Sequence, residues 1–196
     1  MRASMKLILR STLYVAVLTV LLGGFYPAVV TLLARTLWRD RADGSFVQSG
    51  GRVVGSELIG QNFRGAKYLH PRPSAAGKDG YDATASGGTN KGATDADLAK
   101  SVRSAVEEAR KDRPGDPRPV PADLVTSSAS GLDPHLSPDA AEWQAARIAR
   151  ARGVTEEQVL LVIRRHVEPR TLGFLGEPRV NVLLTNLDLD RSLPGR

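Results

Sequence analysis

The chain of 196 residues contains no cysteine, which excludes structural disulfides, cysteine-based zinc sites and a thiol nucleophile. The compartment stays open. Histidine is scarce: His70, His135 and His166 lie on three separate segments with no local metal-binding spacing, so a zinc site requires folding to gather them. His166, near the end of an amphipathic stretch, reads instead as a helix cap favoured by the dipole. No Lys-Ser/Thr pair follows a glycine-rich loop as in a P-loop, and there is no GxSxG elbow. Net charge is also missing from most of the chain. Residues 1 to 41 hold six basic side chains against one acidic, and the remainder holds 21 basic against 20 acidic, a net of +1. Nucleic-acid binding draws on clustered Lys and Arg that displace counterions, and a nearly neutral domain offers no such stripe.

What is present begins with a membrane span. Ser11 to Ala34 is an uncharged run of 24 residues between Arg10 and Arg35. As a helix it extends about 36 Å, against a hydrocarbon core of about 30 Å. It is too long for a signal-peptide apolar region and ends in Leu32, Leu33, Ala34, Arg35 rather than in a cleavage site. Gly23, Gly24 and Pro27 interrupt its second half, and Thr19 and Gly23 have the small-xxx-small spacing that lets another helix approach. Basic residues flank both ends almost equally, and the short amino-terminal stub puts the large domain outside. The expected organisation is a stub over 1–10, a transmembrane helix over 11–34, a linker over 35–44 and one soluble domain over 45–196, with an α+β fold.

Within the domain, residues 45–60 carry short apolar pieces broken by Gly50, Gly51 and Gly55, the pattern of a hairpin. Gln61 to Tyr68 extends this strand region. Residues 71–94 are a long loop. Thr94 caps a helix running to about Lys111, with Leu98, Val102, Ala105, Val106 and Ala109 on one face. Ser137 caps another, with Pro138 at its first position and Gly153 as its stop. Thr155 and Gln158 have capping-box spacing for a third. Val180, Leu183, Leu184 and Leu187 predict a helix over 179–190, although NVLL alone also fits a strand. The architecture expected is a small sheet region followed by several helices.

Two segments invite chemistry. Ser86, Gly87, Gly88, Thr89 and Asn90 offer backbone N–H groups, hydroxyls and an amide suited to phosphate or ribose oxygens; a turn explains the same residues. Ser130, Asp133 and His135 supply a hydroxyl, a carboxylate and an imidazole within a Pro-containing turn. A membrane-anchored hydrolase would need them aligned with an oxyanion site.

The segments VVGSELIGQNF, YLHPRPSAAGKDGYDATASGGTN, VPADLVTSSASGLDPHLSPDAA and LGEPRVNVLLTNLDLD follow in this order behind one amino-terminal span. Together they make the chain resemble the C subunit of the Kdp-type high-affinity potassium-transporting P-type ATPase, over essentially its whole length. The resemblance implies a non-catalytic accessory subunit in a bacterial inner membrane. It would work beside a potassium-translocating subunit, an ATP-hydrolysing subunit and a small stabilising subunit, with no cofactor of its own. The family is described as a catalytic chaperone raising the ATP affinity of the hydrolysing subunit, with a glycine-rich loop proposed to touch the shared ATP. Here that loop is Ser86 to Asn90, with Thr89 where serine is usual. Consistent with an accessory part, the chain has no DKTGT phosphorylation motif. Direct contact with ATP conflicts with an outward-facing domain.

Overall fold

A computed structural model describes residues 2–194. The chain divides between Phe46 and Val47 into two compact units. The first begins with a long helix: α1 (Arg2–Val20), a π-helical turn (Leu21–Phe25) and α2 (Tyr26–Leu37). Ser4 to Leu37 is long and apolar enough to cross a membrane, and none of it is buried within the chain. The helix therefore runs beyond the uncharged segment at both ends, carrying Lys6, Arg10 and Arg35 toward the interface regions. The π turn ends two residues before Pro27, which cannot donate to the carbonyl four residues back. The Tyr26 N–H accordingly donates to Leu21 O, one residue further back than in an α-helix. Thr19 donates its hydroxyl to Val15 O at 2.7 Å, within its own helix. A short turn, α3 (Arg39–Ala42), follows.

The second unit is α+β. Strands β1 (Phe46–Ser49) and β2 (Arg52–Ser56) form the expected hairpin around Gly50 and Gly51. Gln61 to Tyr68 does not extend it; this stretch and most of 71–94 are irregular. Helix α4 (Ala96–Arg110) is capped by Asp95, whose carboxylate accepts from the Asp97 and Leu98 N–H groups. Thr94 is therefore not the cap. A 3-10 turn (Ala122–Leu124) and β3 (His135–Leu136) lead to α5 (Pro138–Trp143) and α6 (Ala145–Arg152). Ser137 caps α5 as its sequence suggests, but the helix breaks at Gln144 before Gly153, at φ 68°, stops α6. Helix α7 (Glu156–Arg165) opens with the Thr155–Gln158 capping box and ends at His166.

The second sheet is the main departure from the sequence expectation. Strand β4 (Val167–Glu168) and β3 both pair antiparallel with β5 (Arg179–Asn181), giving the order β3-β5-β4. Sheet and helices are thus interleaved along the chain rather than consecutive. The predicted helix over 179–190 starts three residues late, as α8 (Val182–Ser192), because residues 179–181 are the central strand and the Asn181 side chain caps the helix by accepting from Leu184 N–H. Val180 is fully buried, and with Leu136, Ile148, Val159, Ile163 and Leu189 it forms the core between the sheet and helices α5 to α8.

Candidate functional site

The segment from Arg64 to Arg72 contributes one fully buried apolar side chain, Leu69, and is otherwise held by polar groups from the carboxy-terminal half. Asn186, on α8, accepts from Leu69 N–H at 2.7 Å and donates to Leu69 O at 3.0 Å. Gln144, at the α5–α6 break, does the same for His70, at 2.8 and 3.0 Å. Each buried amide replaces a neighbouring strand, satisfying both backbone groups of one residue. Arg152 is 2% exposed and donates to Lys67 O, Leu189 O, Leu193 O and the Asp190 carboxylate. Arg147 reaches Ala66 O, Tyr68 O and the Asp112 carboxylate. These four side chains were not singled out from sequence; the only trace was the arginine-rich run of α6.

Downstream, Arg72 sits between Asp133 at 3.1 Å and Asp123 at 3.7 Å. The Tyr81 hydroxyl donates to Arg72 O at 2.7 Å. Burial pushes the Tyr81 phenol well above its ordinary range, with the Asp133 charge adding to the effect, so it stays a donor. Ser74 donates to Gly131 O and accepts from the N–H groups of Ala76 and Tyr81, folding the long loop onto itself. Beside this lattice lies an open depression of about 620 Å³, walled by Leu58, Ile59, Arg72 and the segment Ser127 to Pro134.

The loop Ser86 to Asn90 packs on this segment. The Ser86 hydroxyl and the Gly87 N–H both donate to Ser130 O, at 3.0 and 2.8 Å. A Cβ on Gly88 would fall 2.8 Å from Ala129 O, and one on Gly131 would fall 2.7 Å from Gly87 O. The two glycines thus let two loops touch backbone to backbone. Thr89 and Asn90 remain exposed, and among the described residues their side chains make no hydrogen bond within the chain.

Ser130, Asp133 and His135 are near one another but not wired for nucleophilic attack. Ser130 Oγ accepts from Leu132 N–H at 3.1 Å, and Asp133 Oδ1 accepts from His135 N–H at 3.0 Å. His135 Nδ1 lies 3.8 Å from the same carboxylate oxygen, and among the described residues no hydrogen bond joins Ser130 to His135. Burial and the nearby Arg179 lower the His135 pKa. The three histidines are not gathered: His70 Nε2 meets Gly65 O at 3.0 Å, and His166 Nε2 meets the Asp188 carboxylate at 3.0 Å. No group of three His, Asp or Glu among the described residues is placed to hold a metal ion.

Fold and site together define a class: a small α+β domain carried behind one helix able to cross a bilayer, its buried polar groups turned to its own scaffold. The profile of the family described as KdpC, K+-transporting ATPase, c chain, matches residues 8–191. Among relatives, a potassium-transporting ATPase KdpC subunit from Myxococcus xanthus is 60% identical over 173 residues, covering 88% of this chain and 82% of the relative. Subunits of the same name from Koribacter versatilis and Nitratidesulfovibrio vulgaris are each 49% identical, over 96% and 98% of both chains respectively. The chain belongs to the KdpC family.

Proposed function

We propose that this chain is a non-catalytic accessory subunit of an ATP-driven, high-affinity potassium uptake pump in a bacterial inner membrane. In this reading it assembles with a potassium-translocating subunit, an ATP-hydrolysing subunit and a small stabilising subunit. It keeps the complex together and raises the ATP affinity of the hydrolysing subunit without a cofactor of its own. The reading is supported by the relatives' names and by one observation above all. Every buried side-chain N or O atom among the described residues already has a partner within the chain, which suits a rigid cap or brace better than a reaction centre.

The effect on ATP is indirect in this proposal. Ser86 and Gly87 are held by Ser130 O, and Gly88 is packed on Ala129, so the loop acts as a structural seam; with the domain outside, coupling passes through the assembled subunits. A direct contact rests on Thr89 and Asn90, whose side chains are exposed.

Two measurements test this. Pumps assembled with and without the chain are compared for ATP dependence; the expected result is a several-fold higher KM for ATP without it, and an unchanged KM would remove the affinity role. Sidedness is read from a unique thiol, Ser130→Cys, with an impermeant maleimide on intact spheroplasts. Labelling before lysis supports the outside domain, whereas labelling only after lysis makes Thr89 and Asn90 candidates for direct nucleotide contact.

A further inference from the structure

His135 opens β3 with its ring beside a group of shared charges. The charged side chains that face it are Asp133, two residues back in its own segment, and Arg179 and Glu168 from β5 and β4. Arg179 and Glu168 are partners across those strands, at 2.9 Å. Asp133 uses both of its oxygens: Oδ2 accepts from Arg72 at 3.1 Å, while Oδ1 accepts from the His135 N–H at 3.0 Å and lies 3.8 Å from the ring Nδ1. Arg72 has a second carboxylate within reach, Asp123, at 3.7 Å. Among the described residues, neither nitrogen of the His135 ring makes a hydrogen bond within the chain.

Burial, then Arg179, lower the pKa of this ring, and the Tyr81 phenol near Asp133 stays protonated. At neutral pH, therefore, two guanidiniums, Arg72 and Arg179, meet three carboxylates, Asp123, Asp133 and Glu168, and Arg72 is shared between two of them. A proton taken from solvent makes both ring nitrogens donors and supplies the missing cation. The 3.8 Å separation is longer than a hydrogen bond, so imidazolium and carboxylate must close up to pair. A carboxylate drawn to the imidazolium holds its guanidinium less firmly, and Arg72 has Asp123 to turn to. We propose that His135 and Arg72 form an acid-operated switch, in which protonation of His135 brings Asp133 onto the imidazolium and moves Arg72 onto Asp123. The acid state then holds three one-to-one pairs, with Arg179–Glu168 unchanged. Arg72 and Asp133 both wall the open depression beside Ser127 to Pro134, so the exchange redistributes charge along that wall. The switch is a property of the domain and does not rest on the accessory-subunit reading.

The test follows two side chains at once by NMR, in the full chain held in detergent micelles, as pH falls from about 7.5 to about 5. The signals are the imidazole carbons of His135 and the Nε–H of Arg72, each assigned through its own backbone. The expected result is that the Arg72 signal moves with the same midpoint as the His135 ring, below about pH 6.5, and stays flat in His135→Gln. Asp133→Asn should lower the His135 midpoint by about one unit, because the ring loses the partner of its charged form. A ring that titrates while Arg72 stays flat overturns the switch, and so does a ring that remains neutral throughout. An Arg72 transition that persists in His135→Gln, or a His135 midpoint unmoved by Asp133→Asn, overturns it as well. The first comparison needs only the unaltered chain, so it stands whether or not a variant folds.

Discussion

The two halves of the soluble domain are held together by different physics. From Leu136 onward the chain has an ordinary core: Leu136, Ile148, Val159, Ile163, Val180 and Leu189 are at most 2% exposed and supply the burial that stabilises helices and sheet. Before Leu136, the only buried apolar side chains among the described residues are Leu69 and Ala76. That half has short strands, long loops and little to collapse around. It is fixed by arginine and amide side chains reaching out from the other half, chiefly Gln144, Arg147, Arg152 and Asn186. An apolar core tolerates small losses in proportion to the volume removed, whereas a polar clamp leaves buried groups unsatisfied when one member goes.

The comparison breaks most sharply at Arg152. Arg152→Ala removes the guanidinium donors from Lys67 O, Leu189 O and Leu193 O, of which Leu189 O keeps the Leu193 N–H, and one partner of Asp190. Loss of a buried hydrogen-bonded charge of this kind is expected to cost about 3–5 kcal/mol. Denaturant unfolding of the domain measures it; a cost comparable to that of a surface arginine would mean that the clamp carries no stability. Asn186→Ala is the next largest, at about 2–4 kcal/mol, because both backbone groups of Leu69 lose their partner. Its signature is local. Hydrogen exchange should accelerate at Leu69 N–H while Val159 to Ile163 keep their protection, and equal acceleration in both places would show that the halves do not open separately.

Gly131→Ala tests the seam between the loops at 86–90 and 127–131. The residue has φ 68° and its Cβ would meet Gly87 O and Ala76 N within 2.8 Å, so about 1–3 kcal/mol is expected from the left-handed conformation and more if the loops cannot part. Thr155→Ala removes one half of the α7 capping box and should lower stability by about 1 kcal/mol, read in the same denaturant series. This last effect stays inside the apolar half and should leave exchange at Leu69 unchanged.

The same division decides what was legible in the sequence. Where local chemistry governs, the reading was close: Ser137, Gly153, and the Thr155–Gln158 pair mark real helix ends, and Gly50 with Gly51 turns a real hairpin. Asp95 displaced Thr94 as a cap, a shift of one position between two capable side chains. The three-stranded sheet was missed because β3 and β4 are two residues each, and their pairing with Arg179–Asn181 is a contact across more than forty positions of sequence for β3. Asn186 and Gln144 were missed for a related reason. Nothing in an asparagine or glutamine by itself announces that it will pair with one residue of a distant loop. The loop Ser86 to Asn90 was visible as composition, but the reason for Gly88, the approach of Ala129 O, and for Gly131 opposite it, the approach of Gly87 O, came only from the fold.

The smallest effect expected is also the one that joins the halves through a titratable group. His70 belongs to the clamped segment, and its backbone is held by Gln144. A carbonyl only accepts, so the 3.0 Å contact between His70 Nε2 and Gly65 O makes Nε2–H the donor and Nδ1 the bare nitrogen of the neutral ring. Burial, then the Arg147 charge, lower its pKa. The folded state therefore resists a proton that the unfolded chain accepts near pH 6.5. Stability from this source is present in full above that value and is lost as pH falls below it, levelling off once the folded ring also protonates. His135, lowered by burial and Arg179, acts in the same direction. Asp188 works lower on the scale: Ser192, then His166, hold its carboxyl below the usual range, so its contribution fades only in more acidic solution. Between pH 7.5 and 5, the urea midpoint of the domain should thus decline, and His70→Gln should decline less steeply. Parallel pH profiles for the two proteins would show that the clamp around His70 does not distinguish the neutral ring from the charged one.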